Sequence, residues 1–149
     1  MKASKTWILI ADGARARIFV NEGPGKGLKP AITKEFATEN LPTREVIADR
    51  PGSNASGGAA RHGYAPRVDW HQFEKQRFAA SMAAILNKEA KRQAFERLVL
   101  VAPPEPLGGL RAKLDSATRD CVVKEIGKDL TNLTEHELPR RLEADGLVL

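Results

Sequence analysis

Three groups of residues in this 149-residue chain have the types and spacing to do chemistry. The first is a set of acids at the ends of apolar runs: Asp12 after Trp7-Ile8-Leu9-Ile10-Ala11, Glu105 after Leu98-Val99-Leu100-Val101-Ala102, and Asp129 shortly after Cys121 to Ile126. Carboxylates near strand ends suit hard cations such as Mg²⁺, which take oxygen ligands and assist phosphodiester chemistry. The second apolar run, however, ends in Ala-Pro-Pro where a nuclease would place an acid, and Asp12 is accounted for by its Asp-Gly turn. No metal centre is expected from this set. His62, His71 and His136 lack zinc-ligand spacing, and Cys121 stands alone in the chain without a disulfide partner.

The second group is Gly57-Gly58-Ala59-Ala60-Arg61-His62-Gly63-Tyr64. Paired glycines let backbone approach a ligand closely, an arginine can hold phosphate, and a tyrosine can stack on a base. The same composition also describes a solvated, flexible connector, and the residues alone leave both readings open. The third group is a cluster of cations, Arg77, Lys88, Lys91 and Arg92, which an α-helical projection places opposite Phe78, Ala79, Met82, Ala83, Ile85 and Leu86. One side of that helix reads as core and the other as a basic surface for RNA phosphates. Trp70 and Phe73 fall nearer the basic side, where they pack under the preceding loop or offer a stacking surface.

The elements that position these groups follow from hydrophobic periodicity. Thr6 to Ala11 and Arg15 to Asn21 read as strands joined at Asp12-Gly13-Ala14, and Gly23-Pro24-Gly25-Lys26-Gly27 leads to a third strand from Leu28 to about Ala37. Gly23 to Gly27 lacks the Gly-Lys-Ser/Thr ending of a phosphate loop and reads as a hairpin connection. From Thr38 to Arg67 no periodicity persists, and a long flexible loop is expected. A helix opens at Val68-Asp69, with Asp69 as its N-cap, and runs to about Ala94. Leu98 to Ala102 has the continuous aliphatic pattern of a central strand, followed by a short helix through Leu107, Leu110 and Leu114. Cys121 to Ile126 reads as a fifth strand, and Thr134 with Glu137 as a capping box for a last helix interrupted or restarted at Pro139. The expected order is βββαβαβα: an α/β fold with a mixed five-stranded sheet and helices packed on it, as in ribonuclease-H-like folds. Parallel returns would gather the loops bearing Asp12, Glu105 and Asp129 on one edge.

Composition is consistent with a single domain over residues 1–149. Hydrophobic residues make up 42% of the chain and aromatics 5%, so the core must be mainly aliphatic. The apolar run from Trp7 stops at Asp12, too short for a signal-peptide core or a membrane span, and a cytoplasmic protein without membrane insertion is expected. A net charge of +5 tilts the partner class mildly toward polyanions.

Three blocks in this chain resemble the bacterial host-attachment protein family. They are Trp7-Ile8-Leu9-Ile10-Ala11-Asp12-Gly13-Ala14-Arg15-Ala16-Arg17-Ile18-Phe19, then Leu98 to Pro104 with Leu107-Gly108-Gly109-Leu110-Arg111, then Lys128-Asp129-Leu130-Thr131 with His136-Glu137-Leu138-Pro139. That family is similar in turn to the middle domain of archaeal and eukaryotic peptide-chain release factors, whose ribonuclease-H-like fold carries a Gly-Gly-Gln loop between its third strand and long helix. In release factors the loop positions water for hydrolysis of the peptidyl-tRNA ester, and the basic helix lies close to ribosomal RNA. Gly57-Gly58 occupies the equivalent place, but Ala59 stands where the glutamine would be. The resemblance therefore implies a ribosome- or RNA-associated factor, without a cofactor, that uses Arg61, Tyr64, Arg77, Lys88, Lys91 and Arg92. An alternative is a hydrolase of peptidyl-tRNA or a related ester, in which the amides around Gly57, Gly58 and Ala59 orient water. A third reading is a protein-interaction or regulatory role that affects attachment to host cells indirectly.

Overall fold

The structure, a computed structural model, describes residues 4–38 and 67–149, with side chains of the long helix described from Gln72 onward. The strands are β1 (Thr6–Ala11), β2 (Arg15–Asn21), β3 (Lys29–Ala37), β4 (Arg97–Val101) and β5 (Val122–Ile126). The helices are α1 (Arg67–Lys91), α2 (Pro104–Lys113), α3 (Ser116–Cys121) and α4 (Leu138–Ala144). They build a mixed five-stranded sheet in the order β3-β2-β1-β4-β5. The β1–β2 and β2–β3 pairs are antiparallel, whereas β1–β4 and β4–β5 are parallel.

The alternation of side chains explains why both faces are covered. Trp7, Leu9 and Ala11 of β1, with Ala16, Ile18 and Val20 of β2, meet Phe78, Met82 and Leu86 of α1 and Leu107 and Leu110 of α2. Ile8 and Ile10 point the other way and pack with Phe19, Val99, Val101 and Ile126 beneath Leu130, Leu138, Leu142 and Leu149. Strands β1 and β4 are buried on both faces because they hold the centre of the sheet.

Two expectations are corrected. The long helix starts at Arg67, so Asp69 lies inside its first turn rather than capping it. A short helix, α3, precedes β5, and Cys121 ends that helix instead of opening the strand. Asp115 caps α3, its Oδ1 accepting from the Thr118 amide at 2.9 Å and the Thr118 hydroxyl at 2.8 Å. The Thr134–Glu137 box forms reciprocally, with the Thr134 amide donating to Glu137 Oε1 at 2.9 Å and the Glu137 amide donating to Thr134 Oγ1 at 3.1 Å. It closes a turn just ahead of α4, so Pro139 falls in the first helical turn, where its missing N–H costs no helical bond.

Candidate functional site

Because β1, β4 and β5 run parallel, their C-terminal ends share one edge of the sheet. The β1–β2 turn is the rigid centre of that edge. Asp12 Oδ1 accepts from the amides of Ala14 at 2.7 Å and Arg15 at 2.9 Å, and its Oδ2 lies 3.3 Å from Arg15 Nε. Burial pushes the Asp12 carboxyl up, but these amides and the guanidinium outweigh it and leave the group below its ordinary range.

The loop after β5 is fastened to this turn. Thr131 Oγ1 lies 2.5 Å from Asp129 Oδ1 and 3.3 Å from Asp12 Oδ2, and it accepts from Arg15 Nη2 at 3.3 Å. The same Arg15 nitrogen donates to Asn132 Oδ1 at 2.9 Å. Arg17, two residues along β2 and so on the same face, donates to the carbonyls of Thr131 at 3.3 Å and Leu133 at 2.6 Å. Its guanidinium also sits 5.6 Å from the Phe19 ring centroid. Arg15, Arg17 and Thr131, with Ile10 and Glu35, line a shallow polar recess. Asp12 and Asp129 thus converge, but on a threonine hydroxyl within a hydrogen-bonded clasp. Glu105 stands separately in the first turn of α2. Among the described residues no group of His, Cys, Asp and Glu is arranged to hold a metal ion.

On the opposite face Gly13 lets Lys75 pack across the turn. A Cβ at Gly13 would lie 3.3 Å from Lys75 Cγ. The end of β3 reaches the same edge, with the Thr38 amide donating to Ala14 carbonyl oxygen at 2.9 Å. The two described residues that flank the long insertion, Thr38 and Arg67, therefore belong to elements anchored at this turn. Gly57, Gly58, Ala59, Arg61 and Tyr64 lie outside the described residues, as do the side chains of Trp70 and His71. Phe73 is half-buried.

The basic residues of α1 are not one continuous surface. Lys88, Lys91 and Arg92 are exposed at its C-terminal end, Arg92 within 3.6 Å of Glu89. Arg77 shares their angular sector but sits about three turns earlier. There it is only 5% exposed, and its Nε and Nη2 have no hydrogen-bond partner among the described residues. The expectation of an exposed Arg77 is corrected, since a helical projection orders residues by angle and is blind to what packs at each level. From Arg67 to Lys88 the helix rises about 30 Å at ~1.5 Å per residue, so the insertion's return point and the exposed cations occupy opposite ends of α1.

Sequence reasoning missed the clasp and the Lys75 contact. The Arg-Ala-Arg spacing in β2 placed two guanidiniums on one face, but their acceptors on residues 131–133 are distant in sequence. Cys121 is not activated: burial, then Asp120 and Glu96, push its thiol up.

A mixed sheet flanked by helices, with a fastened turn at its parallel-strand edge, makes this an α/β domain. The chain belongs to bacterial archaeo-eukaryotic release factor family 12, which it matches over residues 5–142. Among solved structures it is similar to the archaeal translation termination factor aRF1, with 13% identity and a TM-score of 0.47. That likeness covers 95% of this chain and 38% of the other, so the chain spans well under half of that factor's length. No curated protein matches it. Among the described residues no helix is long and apolar enough to cross a membrane.

Proposed function

We propose that this protein is a cytoplasmic, ribosome- or RNA-associated factor that binds without catalysing peptide release. Membership of a release-factor family over residues 5–142 carries the reading. Two features support it: the Gly57-Gly58 pair lies between β3 and α1, and the C-terminal end of α1 exposes Lys88, Lys91 and Arg92. Arg61 and Tyr64 contribute a phosphate contact and a stacking surface beside the glycines. Ala59 replaces the glutamine that would orient water, and a methyl group offers neither donor nor acceptor for that task. Hydrolysis of peptidyl-tRNA is therefore not expected.

Sucrose-gradient fractionation of a cell lysate tests the association. The protein should travel with ribosomal particles at low salt and leave them as salt rises. Sedimentation only at the top of the gradient under every condition would refute the ribosome reading. Release of peptide from purified peptidyl-tRNA by the wild-type protein, lost on Gly58→Val, would refute the non-catalytic part.

A further inference from the structure

The C-terminal ends of α1 and α2 meet at one corner of the molecule, on the sheet edge opposite the β1–β2 turn. Asn87 joins them, its Nδ2 donating to the Lys113 carbonyl at 3.3 Å and its Oδ1 accepting from the Asp115 amide at 3.0 Å. Lys88 and Lys91 lie in the last turn of α1, and Lys113 in the last turn of α2. Arg119 is on the adjoining α3. All four cations are exposed, and among the described residues none has a carboxylate within ion-pair distance. Of the acids nearby, Asp115 spends Oδ1 on Thr118 in capping α3, Glu89 pairs with Arg92, and Asp120 is exposed beside Arg119. The Asp115 carboxyl is held below the ordinary range first by the Thr118 amide and hydroxyl, then by Lys91 and Arg119, and Arg119 Nη2 donates to the Leu114 carbonyl next to it at 2.8 Å.

We propose that Lys88, Lys91, Lys113 and Arg119 form a phosphate-backbone contact for RNA, at the end of α1 remote from Arg67. The inference rests on the RNA reading above and extends its contact at Lys88 and Lys91 onto α2 and α3. Nucleic acid fits this corner better than a membrane or an acidic protein. The exposed large apolar residues among those described are Val123, at the start of β5 just after α3, and Val148, in the C-terminal segment, so at most one isolated valine lies near this corner. A bilayer surface helix needs an apolar face to insert, and a protein interface needs a buried apolar centre. A backbone of phosphates needs only spaced cations. Cations at two helix C-termini also complement the helix dipoles, a structural role that would change stability without changing RNA affinity.

The test measures affinity for a fluorescein-labelled RNA hairpin with a single-stranded tail across a salt series. The proteins are wild type, the triple variant Lys88→Gln/Lys91→Gln/Lys113→Gln, and a charge-matched control, Lys26→Gln/Lys29→Gln/Lys34→Gln, in the β2–β3 hairpin. A fourth protein carries Arg61→Gln/Tyr64→Ala. The corner variant should lose roughly tenfold or more in affinity at about 0.1 M salt, and its log–log salt slope should be shallower by about 2 to 3 than the wild type's. The control should keep most of its affinity, and circular dichroism should show every variant folded. Wild-type affinity in the corner variant, with loss only in the Arg61/Tyr64 variant, overturns this proposal and leaves the RNA reading standing. Equal losses in corner and control variants also overturn it, as net charge would then be the cause. No binding by wild type overturns both readings, as does corner-dependent binding to phosphatidylserine vesicles without RNA binding.

Discussion

Asp12 couples the backbone of one turn to a guanidinium and, through Thr131, to a loop more than a hundred residues away. Its carboxyl is below the ordinary range when folded, so the stability it contributes is present above the unfolded value of about 3.9. That stability is lost as pH falls through the lower folded value. Asp12→Asn should therefore cost about 1 kcal/mol at neutral pH, a modest figure because the group is partly solvated. The gap between variant and wild type should close as pH falls below that unfolded value and through the lower folded one. Urea melts at pH 7 and at low pH measure this, and a gap that persists unchanged into acid would show that shape, not charge, matters there. The turn itself was legible in the sequence, since Asp-Gly between apolar runs is a strong hairpin signal. The acceptors of Arg15 and Arg17 were not, because carbonyls of an irregular loop carry no residue-type signature.

For elements, burial separates residues that periodicity had grouped. Leu86 is fully buried between α1 and the sheet, whereas Ile85 is half-buried at the margin of the same core. Leu86→Ala should cost about 2–5 kcal/mol, as cavity-forming substitutions do, and Ile85→Ala clearly less. Comparable losses in chemical denaturation would contradict this placement. The pair Gly108-Gly109 in α2 divides similarly. A Cβ at Gly109 would lie 3.4 Å from Ala79 Cβ, ordinary contact with α1 that leaves little room for anything larger, whereas a Cβ at Gly108 meets nothing within 4 Å. Gly108→Ala should accordingly raise stability by about 0.5–1 kcal/mol through helix propensity alone. A lowered melting temperature would mean that this stretch of backbone is closely approached by something. The long helices and central strands were legible because their periods run over many residues. The six-residue α3 was not, because its signature is a single Asp-x-x-Thr cap.

For the whole molecule, three meander strands and two returns through helices left few arrangements, and parallel crossovers brought the loops after β1, β4 and β5 to one edge as their order implied. What the order of elements could not convey is distance. The insertion bearing Arg61 and Tyr64 returns to the fold at Arg67, and Lys88 and Lys91 lie about 30 Å further along a rigid helix. The loop group and the helix cations are thus candidates for two contacts with different physics: stacking, which is insensitive to salt, and phosphate neutralisation, which is not. If one RNA engages both, Tyr64→Ala should weaken binding by about 1–3 kcal/mol with the salt slope nearly unchanged. Lys91→Gln/Lys113→Gln should instead reduce the slope. If the two contacts act independently, the combined variant should lose the sum of the two effects within about 0.5 kcal/mol. A titration of all four proteins against the same RNA at two salt concentrations completes the cycle. A combined loss well below the sum would mean that losing either contact already releases the RNA from the other. A combined loss above the sum would mean that each contact partly compensates for the other, and in either case the two ends of α1 would not act as separate sites.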